Sequence, residues 1–173
     1  MIELADIISR MKANAGIIQG LATNLRAAQE SWKPAPDKWS ILEVINHLYD
    51  EEREDFRQRL EFVLRDPQAE WPGIAPQEWV TSRAYCDRDL PDSLNNFLSE
   101  REKSLAWLQS LTAPRLENRH ERQGRTLSAG DLLTSWLAHD FLHIRQLTRL
   151  HWQYLNANSA PFKTEYAGPW PEA

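Results

Sequence analysis

Ser128-Ala129-Gly130-Asp131-Leu132-Leu133-Thr134-Ser135-Trp136-Leu137-Ala138-His139-Asp140-Phe141-Leu142-His143-Ile144-Arg145-Gln146-Leu147-Thr148-Arg149-Leu150-His151-Trp152 is the stretch that decides the fold. It holds no proline and a single early glycine, and it reads as about seven turns of helix. Ser128 to Asp131 has the form of a capping box. Apolar residues occupy much of its circumference, as expected of a helix with neighbours on several sides. His139 and His143 stand four residues apart, so they share one face with Leu132, Trp136, Gln146 and Leu150. Two imidazoles at that spacing can hold one metal ion together. A pair of buried histidines without metal satisfies the same pattern. His151 lies two turns beyond His143, about 12 Å along the axis, too far to share an ion.

Before this helix, Arg115–Leu127 reads as a polar loop with His120 exposed in it. Helix three is expected over Leu90–Leu111, with Asp89 as cap and Pro91 in the first turn. Its inner face carries Leu94, Phe97, Leu98, Leu105, Leu108 and also Arg101. A buried guanidinium needs a carboxylate or a ligand. Arg101 therefore pairs with an acid of helix two such as Glu51, snorkels to solvent, or serves a site. Pro67–Asp89 is a long, proline-rich connection with room for a short helix near Gln77–Tyr85. Its length suits a crossing of the whole bundle, which would make helices two and three parallel, or a lid carrying Trp79 and Tyr85.

Helix two is expected from the capping box Ser40-Ile41-Leu42-Glu43 to about Arg65, ahead of Asp66-Pro67. Its apolar stripe is Ile41, Val44, Ile45, Leu48, Phe56, Leu60 and Val63. His47 sits on the shoulder of that stripe, either as a core histidine bonded to a neighbour or as a third imidazole for the His139/His143 pair. Glu51, one turn on, is a fourth ligand, an acceptor for an imidazole N–H, or by default a surface carboxylate. Helix one is expected over Leu4 to about Gln29, stopped by the Pro34/Pro36 segment. Residues from about 156 to 173 read as an extended tail anchored by Trp170. The architecture expected is all-α: a four-helix bundle in one domain spanning residues 1–173.

Bulk properties narrow the function. The chain has 173 residues, 42% hydrophobic and 26% charged, with a formal net charge of −5. An acidic chain without a clustered basic face is poorly suited to nucleic acid. No run approaches the roughly 18 apolar residues of a membrane span. Met1-Ile2-Glu3-Leu4 lacks the features of a signal peptide, and Cys86 is the only cysteine, so a cytoplasmic setting is expected and an inert thiol with it. Most of the eight tryptophans fall near helix ends, where Trp32, Trp39, Trp71, Trp79 and Trp170 can seal the bundle. Phosphate loops, nucleophile elbows and cysteine pairs are lacking. What remains is His47, His139 and His143. Three neutral imidazoles converging inside a bundle would leave coordination positions open to water or substrate. Such ligands suit several transition metals and do not choose among them.

Lys38-Trp39-Ser40-Ile41-Leu42-Glu43-Val44-Ile45-Asn46-His47-Leu48, followed much later by His139-Asp140-Phe141-Leu142-His143-Ile144-Arg145-Gln146, resembles the DinB/YfiT-like superfamily over most of the chain. The resemblance implies a four-helix bundle with a divalent metal on a histidine triad, here His47, His139 and His143. Zinc or nickel comes first, then iron, cobalt or manganese. It implies a thiol-dependent transferase, with a low-molecular-weight thiol as cosubstrate, or a hydrolase acting on a small molecule, and a homodimer. Glu51 and Arg101 are candidate catalytic residues from their inward positions alone, not from the resemblance. The alternative is a non-catalytic bundle that binds metal or ligand for structure or sensing.

Overall fold

Ser40 starts the rod that carries the first histidine. In the computed structural model, Ser40 Oγ accepts from the Glu43 N–H at 3.3 Å, and Glu43 Oε2 accepts from the Ser40 N–H at 2.8 Å. Lys33 holds the same Glu43 at 2.6 Å. The structure describes residues 3–122 and 124–171. The Met1-Ile2 start, Gln123 of the expected loop and the last two residues of the expected tail lie outside the described residues. Removing the cap by Ser40→Ala is expected to cost about 1 kcal/mol, a fall in Tm of about 2–4 °C. Thermal unfolding followed by circular dichroism checks this.

From that cap, α3 (Ile41–Glu51), a π turn (Glu52–Phe56) and α4 (Arg57–Arg65) form one rod. α1 (Leu4–Leu21), α6 (Leu90–Ser110) and α7 (Ala129–Asn158) complete a four-helix bundle. Short α2 (Ala27–Glu30) and α5 (Pro76–Ser82) lie in the connections. Among the described residues, no helix is long and apolar enough to cross a membrane.

Three boundaries differ from the sequence expectation. Helix one ends at Leu21 rather than near Gln29, because Asn24 adopts a left-handed φ of 57° and turns the chain into α2. Asparagine tolerates that conformation better than most residues. The expected loop before helix four is instead a hairpin, β1 (Arg119–Arg122) and β2 (Arg125–Ser128), with Arg119 opposite Ser128 and Arg122 opposite Arg125. His120 is buried rather than exposed: its ring stacks on Trp71 at 4.1 Å, and its Nδ1 lies 2.8 Å from the Pro67 carbonyl. Helix four runs six residues past Trp152 to Asn158.

The core falls into two apolar clusters. One gathers Ile18, Val44, Ile45, Leu48, Leu94, Phe97, Leu147 and Leu150. The other gathers Ile7, Met11, Leu60, Val63, Leu108, Leu132, Leu133 and Trp136. Each rod passes from one cluster to the other. α1 and α7 run in one direction, and α3–α4 and α6 run in the other. Helices two and three are thus parallel, and the 66–89 connection does travel the length of the bundle. It is clasped on the way: Tyr85 donates to Asp50 at 2.6 Å, while Arg83 bridges Asp50 and Glu54 and covers the Trp79 ring at 4.0 Å.

Between the clusters every rod contributes buried polar residues: Asn14; Asp50, Glu51 and Glu52; Glu100, Arg101 and Ser104; and Asp140 and His143. The bundle has a polar waist, and the candidate site sits in it.

Candidate metal centre

The waist is organised on one guanidinium. Arg101 is 1% exposed and meets two carboxylates in bidentate fashion: Glu52 at 2.8 and 2.8 Å, and Asp140 at 2.7 and 2.7 Å. It also donates to the Met11 carbonyl at 3.3 Å. Trp136 Nε1 donates to Glu52 at 3.0 Å, and Asn14 donates to Asp140 at 3.3 Å. All four rods are tied through this cluster. The acid on helix two that answers Arg101 is thus Glu52, not Glu51. The candidate catalytic role for Arg101 is corrected with it: the side chain does not line the cavity and is consumed by structural ion pairs.

Glu52 lies one regular turn after Leu48, whose carbonyl accepts from its N–H, and the π turn displaces the residues that follow. After Leu48 a regular helix would bring residue 59 to the core; the buried residues are instead Leu60 and Val63. One extra residue in the turn shifts the stripe. Glu52 is left facing Arg101 while its neighbour Glu51 lines a cavity with the histidines.

On the cavity side, His139 and His143 project from α7 and His47 from α3. One ring nitrogen from each lies within 4.8 Å of the other two. Ring centroids are 4.3 Å apart for His139–His143, 4.8 Å for His47–His143 and 5.4 Å for His47–His139. His143 Nδ1 is 2.8 Å from Gln146 Oε1, so Nδ1 carries the proton and Nε2 keeps its lone pair. That Nε2 lies 3.0 Å from His139 Nε2. Two nitrogens bound to one ion at 2.0–2.1 Å and a tetrahedral angle would be about 3.4 Å apart, so little movement separates the two arrangements. His47 Nδ1 is buried with no hydrogen-bond partner, and the Trp39 ring covers His47 at 4.8 Å.

The electrostatics suit cation binding. Burial, reinforced by His143, pushes the His47 pKa down to about 3. Burial and the neighbouring imidazoles push His139 down to about 2. Burial lowers His143 as well, partly opposed by Gln146. All three rings are therefore neutral at physiological pH, the form that ligates metal. Glu51 is 5% exposed rather than a surface carboxylate. Its desolvation and the adjacent Asp55 push its pKa up to about 8. It lies outside the set of mutually close ligand atoms.

The rings open onto a cavity of about 470 Å³, with Lys38, Trp39, Glu51, Pro76, Gln77 and Gln146 among its walls. That volume suits a small molecule. Cys86 is exposed on a different cleft, and the Asp87 carboxylate holds its thiol pKa up, as expected of an unreactive thiol. His151 joins Gln29 and the Leu21 carbonyl, outside the histidine cluster.

Sequence reasoning missed the roles of Glu52, Asp140, Trp136 and Gln146. Gln146 was readable in part, since it shares a helix face with His143, but which acid answers Arg101 depends on how α6 and α7 pack against the second rod, which no local pattern carries.

The family described as the DinB superfamily matches residues 11–147. Among curated proteins, none matches the chain by sequence. Among solved structures, the fold is similar to that of YfiT from Bacillus subtilis, described as a probable metal-dependent hydrolase with an unusual four-helix bundle topology. The likeness has a TM-score of 0.78 at 16% identity, covering 89% of this chain and 90% of that one.

Proposed function

This chain belongs to the DinB superfamily, and we propose that it is a metal-dependent enzyme in which His47, His139 and His143 hold one divalent ion, zinc or nickel, at the floor of the cavity. The observation that carries this is the convergence of three neutral ring nitrogens, from two separate rods, within 4.8 Å. The unpartnered, buried Nδ1 of His47 and the neutral imidazole donor set fit such an ion. Three protein ligands leave positions open, the arrangement of catalytic rather than closed structural sites. An ion bound there supplies Lewis acidity and lowers the pKa of a water or thiol.

The protein's own groups do the rest. Gln146 fixes the His143 tautomer, Trp39 shields His47 from solvent, and the Arg101 cluster anchors α7 through Asp140, the residue beside His139. The cavity admits a small electrophile together with water or a low-molecular-weight thiol. The description of YfiT as a metal-dependent hydrolase supports the same reading.

Metal analysis of protein purified and reloaded with zinc tests this. About one ion per chain is expected in the wild type, and roughly a tenth of that or less in His47→Ala and His143→Ala at the same free zinc. Equal content in all three proteins would overturn the proposal. Turnover of chlorodinitrobenzene only when a cellular thiol is added would select transfer; turnover of an ester without thiol would select hydrolysis.

A further inference from the structure

One residue in the cavity wall holds a buried oxygen without a partner. Glu51 is 5% exposed, lines the same cavity as the three imidazoles, and its Oε1 makes no hydrogen bond. An unpaired acceptor in such a place is costly. It persists in natural proteins where a ligand, water or reacting group completes it. It is not a fourth member of the close ligand set, so coordination by the imidazoles does not account for it.

Its surroundings explain how it is held. On its own rod, Asp55 lies one turn on, shares a hydrogen bond with it, and is backed by Arg59 at 2.7 Å. Asp50 stands beside it but is committed to Tyr85, Arg53 and Arg83. Across the cavity the charged groups are Asp37 and Lys38, which pair with each other at 2.8 Å. From the hairpin, Arg122 acts on Asp55. No cation is bonded directly to Glu51 among the described residues. Two carboxyl groups at this range cannot both ionise cheaply, so they share a proton.

We propose that Glu51 is the catalytic proton-transfer residue of this site, with Asp55 as its positioning partner; the assignment rests on the reading of the triad given above. For a nucleophile Nu–H, water or thiol, and a substrate R–X, the Nu–R bond forms as R–X breaks and its electron pair leaves with X. The shared carboxyl proton goes to X, and the Nu–H proton replaces it on Glu51 Oε1. Nu–H and R–X give Nu–R and H–X, with Glu51 restored. A group titrating close to neutrality is the efficient kind for this exchange, and the elevated Glu51 pKa is consistent with it.

Glu51→Gln keeps the shape and removes the exchangeable proton. Wild type and variant are loaded with zinc and compared in three ways: zinc content, the infrared band of a protonated carboxyl at neutral pH, and turnover of p-nitrophenyl acetate or of chlorodinitrobenzene with cysteine. The expected result is equal zinc, loss of the carboxyl band, and a rate lower by about 100-fold or more. Loss of zinc from the variant would make Glu51 a ligand and overturn the assignment. So would an unchanged carboxyl band, an unchanged rate, or a zinc-loaded wild type that turns over neither probe. A wild type that holds no zinc overturns the triad reading and this one together. Equal zinc with an unchanged rate overturns Glu51 alone.

Discussion

Arg101→Ala is expected to lower the free energy of unfolding by about 3–5 kcal/mol, the cost of breaking a buried ion cluster by removing one partner. Arg101, Glu52 and Asp140 are 1%, 2% and 0% exposed. The substitution leaves two carboxylates in the waist with no counter-charge and takes the guanidinium donor from the Met11 carbonyl. Typical domains have only 5–15 kcal/mol to lose, so urea unfolding should show a large fall in midpoint. Replacing all three together, Arg101→Met with Glu52→Gln and Asp140→Asn, is expected to cost less than the single change, because no unpaired charge stays buried. A loss under about 1 kcal/mol for Arg101→Ala would mean the cluster is not the tie between the rods that its geometry describes.

The second expected result concerns acid. His47 is pushed to about 3 and His139 to about 2 from an ordinary 6.5, and His143 is lowered too. In the folded, metal-free protein the rings stay neutral, while in the unfolded chain they take up protons below about 6.5. The unfolded state then binds more protons, so the stability is present above that pH and is lost as pH falls through it. Each histidine contributes a slope of about 1.4 kcal/mol per pH unit, so His47 and His139 together give about 3, and His143 adds to it in the same direction. Metal-free protein should therefore unfold cooperatively in mildly acidic solution, around pH 4–5 for an ordinary total stability. Glu51 acts in the opposite sense. Its pKa, raised from 4.5 to about 8, means that the folded state keeps a proton the unfolded chain releases, so stability falls as pH rises through that window. Tm measured against pH in a chelator should peak near pH 6.5–7, where proton uptake by the unfolded histidines balances proton release by the unfolded Glu51. Glu51→Gln should flatten the alkaline limb and steepen the acid limb above about pH 4.5, and His47→Gln should lessen the slope of the acid one. A flat acid limb in the wild type would show that the rings are solvated and protonate freely in the folded state.

Much of this protein is legible before any coordinates. Ser40 and Ser128 announce their helices because a capping box is a local hydrogen-bond pattern, and both boxes form. The i, i+4 spacing of His139 and His143 sets them on one face of one helix, and that too is local. Pro67–Asp89 is too long and proline-rich for a tight turn, which left a crossing between parallel neighbours and a lid as the two readings. The misses share one physical character. Asn24 ends α1 by a backbone conformation that competes with a continuing apolar stripe. His120 is buried because Trp71, some fifty residues earlier, offers a ring to stack on. Glu51 and Glu52 lie in an acidic run that reads as solvated surface, yet both are buried.

What the sequence determined by itself was whatever short-range geometry specifies: the rods, their caps, their apolar faces, and the presence of three histidines on inward or shouldered positions. Only the tertiary structure decided that these imidazoles meet, that Glu52 rather than Glu51 answers Arg101, and that Glu51 is left facing the cavity with an unpartnered oxygen. The reason is that pairing is long-range: Arg101 and Trp136 arrive from other helices to bond Glu52, Asp140 shares the same guanidinium, and no donor arrives for Glu51 Oε1.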